Sequence, residues 1–339
     1  MRFFLSVLLL ALLMGCSRGP SADGPSLRLA VVTDLKGYLE PCGCTSDPLG
    51  GIDRLAAQIK ALREDGVPLL VLLAGDAFFD AAPLEAARVD QANRNAKTLV
   101  GILNRLGATA VLPGARDRAQ PSEVLQALRG ASKFSWLAME GDASLAVQEL
   151  GAVSVALVGA RPGAGRDAVA KALRSQPEPA DIAVVLVDGS RRDATRAGAI
   201  EGVDFVVQGG LDQDDAIAPR RVGQAWALHA SRQGQGLTVV DVYSAKKHQA
   251  FTDRSEWSRE EQAAQLDRQI EELAVKIDAW EKSGEVDPAD IEPQRARLVE
   301  LENARARLDA PTAHADGNAF FARWVELRKA SPSDREVAK

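Results

Sequence analysis

The sequence predicts a layered α/β domain with mixed sheets, followed by a helical hairpin. Three observations carry this reading. From Leu27 to about Tyr243, short apolar runs alternate with amphipathic stretches. Several of those runs stop at Asp or Gly, as strands do when they deliver a loop to the rim of an open sheet. Beyond Glu256 the chain fills with Glu, Gln, Arg, Lys and Ala, with apolar residues three or four positions apart. The 339 residues suffice for one large or two modest domains. Lys and Arg number 41 against 47 Asp and Glu, a net charge of −6, so no concentrated basic face invites a nucleic acid. The three cysteines, Cys16, Cys42 and Cys44, exclude a disulfide-stapled scaffold and any four-thiolate site.

The first element is an export segment, residues 1–15. Arg2 supplies its positive end, and Phe3 to Met14 an apolar stretch too short to span a bilayer comfortably. The segment closes on Leu13-Met14-Gly15-Cys16, which resembles a bacterial lipobox. That resemblance implies that the Cys16 thiol takes lipid and that several acyl chains together anchor the chain to a membrane. With Ser17 next, it implies the outer membrane, facing the periplasm. An ordinary signal peptide cut near Gly15 is the plainer alternative. Residues 16–26, rich in Gly, Ser, Pro and Asp, read as a tether, 27–243 as the main domain and 244–339 as hairpin and tail.

Within the main domain, strands are expected at Leu27–Thr33, Pro68–Ala74, Thr109–Leu112, Phe134–Met139, Val153–Gly159, Asp181–Val187, Asp204–Val207, Gln224–His229 and Leu237–Tyr243. Their carboxyl ends should bring Thr33-Asp34, Gly75-Asp76, Pro113-Gly114, Asp188-Gly189 and Gly209-Gly210 to one rim. The last strands carry polar residues at alternate positions and read as antiparallel. Helices are expected at Ile52–Glu64, Leu84–Leu106, Pro121–Arg129 and Arg166–Arg174. In the tail, Leu266, Ile270, Leu273, Ile277 and Trp280 form one apolar stripe of coiled-coil spacing. After Ser283-Gly284 a second helix follows, its start marked by Pro288 and Pro293. The pair either folds against its own domain or offers a surface, residues 256–310, to an envelope partner. Gly317 to Lys339 reads as an apolar patch with a polar end.

Asp34, Gly75-Asp76, Pro113-Gly114-Ala115-Arg116-Asp117 and Gly209-Gly210-Leu211-Asp212 resemble, in order and spacing, the motif blocks of the calcineurin-like metallophosphoesterases, of the type found in 5'-nucleotidase amino-terminal domains. Tyr38-Leu39-Glu40-Pro41-Cys42-Gly43-Cys44 with Gly50-Gly51-Ile52-Asp53-Arg54 is similar to an exported bacterial lipoprotein subgroup, some of whose members continue into cytochrome c modules. The resemblance implies a four-layer α/β/β/α sandwich and, in active relatives, a two-metal phosphoesterase site.

This chain departs from that pattern. Lys36 stands where the family has its first histidine, Ala115 and Arg116 replace the asparagine ligand and the catalytic histidine, and Gly210 and Asp212 stand at the last two histidine positions. The sequence holds only His229, His248 and His314, none at a matching strand end. Asp34, Asp76, Arg116 and Asp117 are therefore remnants of a catalytic set. Three uses of such a rim remain open: a salt-bridged remnant; a single oxygen-ligated cation, Mg, Ca or Mn, on Asp34, Asp76, Asp188 and Asp212, opposed by the fixed charges of Lys36 and Arg116; or an anion held by Lys36 and Arg116, whose guanidinium is a planar fork of donors. Gly50 and Gly51 can bring backbone amides to an anion at the following helix, or simply make a tight turn. Asp117 with Arg118, and Asp53 with Arg54, read equally well as ordinary charges of a loop and a helix start. Cys42 and Cys44 suit a small disulfide, a redox or metal-related role, or free thiols.

The expected function is that of a lipid-anchored, non-catalytic binding or scaffold protein of the cell envelope. The alternatives are a metal-dependent phosphohydrolase with an atypical site and an accessory of envelope electron transfer. The chain has no Cys-x-x-Cys-His for attaching haem.

Overall fold

The computed structural model describes residues 24–41, 46–211, 216–244, 249–284, 286–309 and 317–338. Thirteen strands appear among them: β1 (Leu27–Thr33), β2 (Leu69–Gly75), β3 (Ala110–Pro113), β4 (Ser135–Trp136), β5 (Ala143–Leu150), β6 (Val153–Ala160), β7 (Ile182–Asp188), β8 (Phe205–Gly209), β9 (Ile217–Val222), β10 (Ala225–His229), β11 (Gly236–Tyr243), β12 (Thr252–Asp253) and β13 (Ala319–Glu326). The helices are α1 (Ile52–Ala61), α2 (Val89–Arg105), α3 (Ala115–Arg118), α4 (Ser122–Ala131), α5 (Arg166–Arg174), α6 (Arg191–Gly198), α7 (Glu256–Ser283) and α8 (Pro288–Asp309).

The continuous apolar runs of β1, β2 and β7 follow from burial on both faces. Along β1, Leu27, Leu29 and Val31 point into the layer between two sheets, and Ala30 and Val32 point outward to α1 and α2. One sheet runs β12-β13-β11-β1-β2-β3-β4 and the other β5-β6-β7-β8-β10-β9. Leu55 and Ile59 of α1 and Leu99 and Leu103 of α2 cover the first sheet, and Val169 of α5 with Ala194 and Ala197 of α6 cover the second. Each fully buried leucine stabilises this packing by about 2 kcal/mol. The result is the expected four-layer α/β/β/α arrangement with mixed sheets and a C-terminal helical pair.

Four strands went beyond the expectation. β5 carries Ala143, Ala146, Gln148 and Glu149, a weak strand composition, and forms by antiparallel pairing with β6 along its whole length. β9 contains Pro219, which a strand tolerates at a sheet edge, and β9 is an edge. The apolar patch after Gly317 is β13: Phe320 and Ala322 are buried while Phe321 and Arg323 face out. It pairs antiparallel with β11 from Ala319 to Glu326 and, with the two-residue β12, completes the first sheet. The antiparallel reading of the last strands needs correction for one of them. β11 is antiparallel to β1 and β13, but β10 runs parallel to β8 and antiparallel only to β9.

The helical pair leaves the sheet after β12 and returns at β13. Its stripe turns inward, with Ile277, Ile291 and Leu301 buried and Val275 and Val299 exposed. Gly284, at φ 66°, ends α7 in the left-handed conformation that glycine adopts without a Cβ clash. Pro288 opens α8, but Pro293 lies inside it rather than at its start. Among the described residues, no helix is long and apolar enough to cross a membrane. The expected export segment, Cys16 and most of the tether lie outside the described residues, as do Cys42, Cys44, Asp212, His248 and His314.

Candidate functional site

β1, β2, β3, β7 and β8 end at one rim, where Asp34, Asp76, α3, Asp188 and Gly210 meet. Asp34 follows β1 and is buried. Its backbone is left-handed at φ 48°, as is that of Lys36 at 55°, a conformation that non-glycine residues adopt only when the surroundings hold them there. Here three amide hydrogen bonds do so: Asp34 N–H donates to Ala74 O (3.1 Å), Lys36 N–H to Asp76 O (2.8 Å) and Gln233 N–H to Asp34 O (2.8 Å). A side chain at Gly75, φ 90°, would put its Cβ 2.2 Å from Asp34 Oδ1, so glycine is required beside that carboxylate. The Gly210 amide donates to Asp34 Oδ1 and Oδ2 at 3.0 and 2.9 Å. Burial pushes the Asp34 carboxyl up to about 7, opposed by the Gly210 amide and reinforced by Asp188 and Asp76.

Asp76 is held from α3. Its Oδ1 accepts from the Arg116 amide at 2.7 Å and the Asp117 amide at 3.4 Å, and its Oδ2 pairs with Arg116 Nη1 at 2.9 Å. Asp188, at the end of β7, pairs through Oδ2 with Arg118 Nη2 at 3.0 Å, and Arg118 Nη1 also donates to Pro113 O. Burial raises the Asp188 carboxyl, Arg118 pulls it back and the charge of Asp76 raises it again. Asp117 points the other way. It is fully buried, with Oδ2 accepting from Ala77 N–H at 2.7 Å and Oδ1 from Phe78 and Phe79 N–H at 2.9 Å each. It therefore fixes the turn that follows Asp76. Burial drives its carboxyl up to about 8, against those three amides.

Five of the rim residues read from the sequence, Asp34, Asp76, Asp188, Lys36 and Arg116, thus come together, and Asp117 supports them from behind. Gly50 and Gly51 precede α1, where the Gly50 amide is spent on Leu327 O (2.8 Å) and the Ile52 amide on Leu39 O (2.9 Å), so those two amides are not free for an anion. Arg116 is likewise engaged with Asp76. The sequence left Arg118 open between a charge of the active-site-side loop and an ordinary surface charge, and it did not show that Arg118 pairs with Asp188. The available signal was its placement two residues from Arg116, on either side of a buried aspartate. His229 does end a rim strand, β10, but its Nδ1 lies 2.8 Å from Gln208 O, away from the carboxylates. Beside the rim, Lys36, Tyr38, Glu40, Phe79, Asp80 and Arg88 help line a groove of about 700 Å³.

The donor set decides whether a pair of cations fits. Asp34 is bonded to a fixed amide, Asp76 and Asp188 each bear a guanidinium, and no imidazole faces them among the described residues. Among those residues, no group of three or more His, Cys, Asp or Glu is arranged to hold a metal ion. The described residues of this rim do not fit a two-metal centre.

Two mixed sheets with helices on their outer faces, and a rim of loops at the strand ends, define the fold of 5'-nucleotidase amino-terminal domains. Sulfate thiohydrolase SoxB of Thermus thermophilus, solved with glycerol, matches it with a TM-score of 0.52 at 18% identity, over 64% of this chain and 54% of that one. The NAD nucleotidase of Haemophilus influenzae gives 0.53 at 14%, over 64% and 47%, and a 5'-nucleotidase precursor of Thermus thermophilus gives 0.56 at 18%, over 67% and 53%. The chain spans about half the length of these proteins. No protein-family model matches the sequence, and no curated protein does.

Proposed function

We propose that the chain is a lipid-anchored, non-catalytic binding or scaffold protein of the cell envelope, built on a metallophosphoesterase-type fold. One observation carries the reading: Arg116 and Arg118 supply the positive charge at Asp76 and Asp188. A guanidinium already hydrogen-bonded to a buried carboxylate competes with a cation for the same oxygens. The groove beside Lys36 and Tyr38 is the ligand-facing surface, and the α7–α8 pair faces an envelope partner. Lipid on Cys16 holds the chain at the outer membrane, on its periplasmic side.

The test uses the full chain in detergent, supplied separately with Mn²⁺, Mg²⁺, Ca²⁺ and Zn²⁺. Bound metal is measured and phosphate-ester hydrolysis is assayed beside an Asp76→Ala control. The expected result is neither stoichiometric metal nor Asp76-dependent turnover. Two equivalents of metal with turnover lost in Asp76→Ala overturns the proposal in favour of a phosphohydrolase. Intact mass across residue 16 checks the anchor, and an unmodified Cys16 removes it.

A further inference from the structure

His229 is the one rim imidazole among the described residues, and it lies outside the carboxylate cluster. The Gln208 carbonyl 2.8 Å from Nδ1 can only accept, so Nδ1 carries the proton and Nε2 presents a lone pair. The ring is 4% exposed, and Nε2 is buried with no hydrogen-bonding partner. An unmet polar atom at that depth costs about 1–3 kcal/mol unless something fills it. The ring lines a cavity of about 10 Å³ together with Arg191 from the start of α6, Arg220 from β9, and Leu211. Arg220 Nη2 is also buried without a partner.

None of the described residues lining this cavity is acidic. Two arginines thus line one small space with no carboxylate between them among the described residues, and their charges oppose each other and a charged imidazole. Burial, then Arg191, lowers both Arg220 and His229, with the Gln208 carbonyl partly restoring the imidazole. The described groups that hydrogen-bond to the ring are neutral: Thr33 Oγ1 from β1 at 3.4 Å and the Gln208 backbone from β8. A lone pair, an unmet N–H donor and two positive charges with no carboxylate beside them among the described lining residues are the complement of an anion that carries both an O–H and bare oxygens.

We propose that Arg191, Arg220 and His229 form a binding site for a singly protonated tetrahedral oxyanion, inorganic hydrogen phosphate. The cavity takes one oxygen atom, and the rest of the anion sits at the mouth, beside the exposed Arg191. His229 Nε2 accepts the ligand's O–H, while Arg220 and Arg191 donate to its other oxygens. Sulfate has the same shape but no proton near neutral pH, so it would set a bare oxygen against a lone pair. The site therefore discriminates by a hydrogen bond, which separates ligands far better than size does. It stands apart from the Arg116 and Arg118 pairs, so it holds whether or not the carboxylate cluster is catalytically silent.

Calorimetric titration of the full chain in detergent at about pH 8, where the imidazole is neutral, tests this. Inorganic phosphate is expected to bind one to one, and sulfate at least about tenfold more weakly. Arg220→Leu and the exposed Arg191→Gln should each weaken phosphate at least about tenfold, as loss of a charge-assisted bond does. His229→Phe should abolish the preference over sulfate. Glycerol phosphate, whose phosphate has a second pKa of about 6 and so carries no O–H at this pH, is expected to bind at least about tenfold more weakly than inorganic phosphate, and equal binding overturns the proposal. Equal affinity for sulfate and phosphate, no phosphate heat, or phosphate affinity unchanged in Arg191→Gln, which removes no buried contact, overturns the proposal.

Discussion

Replacing Arg118 by alanine isolates the energetic role of a guanidinium at this rim. Its side chain is 17% exposed and that of Asp188 6%, so the pair is screened little by solvent, unlike Arg116, which is 37% exposed against 8% for Asp76. Removing one partner of a buried pair costs about 3–5 kcal/mol. Asp188 keeps the Ala115 amide, which places Arg118→Ala at the low end, about 3 kcal/mol. Arg116→Ala leaves Asp76 its two backbone amides and costs about 1 kcal/mol. Asp188→Asn in the Arg118→Ala background removes the stranded charge and should recover about 2 kcal/mol. Urea unfolding of the parent, Arg118→Ala, Asp188→Asn and the double variant in one detergent at pH 7 reads the cycle. The loss in Arg118→Ala should also shrink as pH falls, because Asp188 then takes a proton instead of staying charged and unpaired. A loss under about 1 kcal/mol, or strictly additive single changes, would refute the view that this arginine holds the site together.

Three further outcomes follow from the same geometry. Asp117→Ala strands the amides of Ala77, Phe78 and Phe79 in the core and should cost about 3–5 kcal/mol by urea unfolding, while a change below about 1 would mean that the turn after β2 stands without its carboxylate. Burial raises Asp204 to about 6 from 3.8, so the folded state holds an extra proton between those values and stability falls as pH rises through them. Asp204→Asn should therefore gain on the parent from about pH 4 to 6 and level off above, by up to about 3 kcal/mol, and a pH-independent difference would count against it. Gly209→Ala places a Cβ 2.4 Å from the backbone of Ala74 and Gly75, where β8 meets β2 across the two sheets. Overpacking there should cost about 3 kcal/mol and lower the melting temperature, whereas a neutral result would show that the sheets can part.

Much of this architecture was legible from residues buried on both faces. Leu27–Thr33 and Arg166–Arg174 stand where the sequence put them, because β1 is continuously apolar and α5 is amphipathic between glycine and a polar turn. β5 and β9 were not legible, since edge strands are specified by their neighbour's hydrogen bonds more than by their own side chains. At the rim, spacing after strand ends located Asp34, Asp76 and Asp188. What a linear reading lacked was direction. Arg118 and Asp117 are adjacent, yet one faces the cluster and the other the core, because α3 is a single turn that sets neighbours on different sides. Likewise the imidazole of His229 reached the rim while turning its unfilled nitrogen away from the carboxylates.

β13 is made only after the whole α7–α8 pair, yet it lies between β11 and β12 in the finished sheet. Until it emerges, β11 offers an open row of amides and carbonyls next to the apolar face that Phe320 will cover, a template for any passing strand. Its far end also laces the Gly50 loop, through Leu327, to the rest of the molecule. A premature stop inside the α7–α8 pair would thus release not a trimmed protein but a sticky one, and quality-control proteases rather than loss of partner binding would decide its fate.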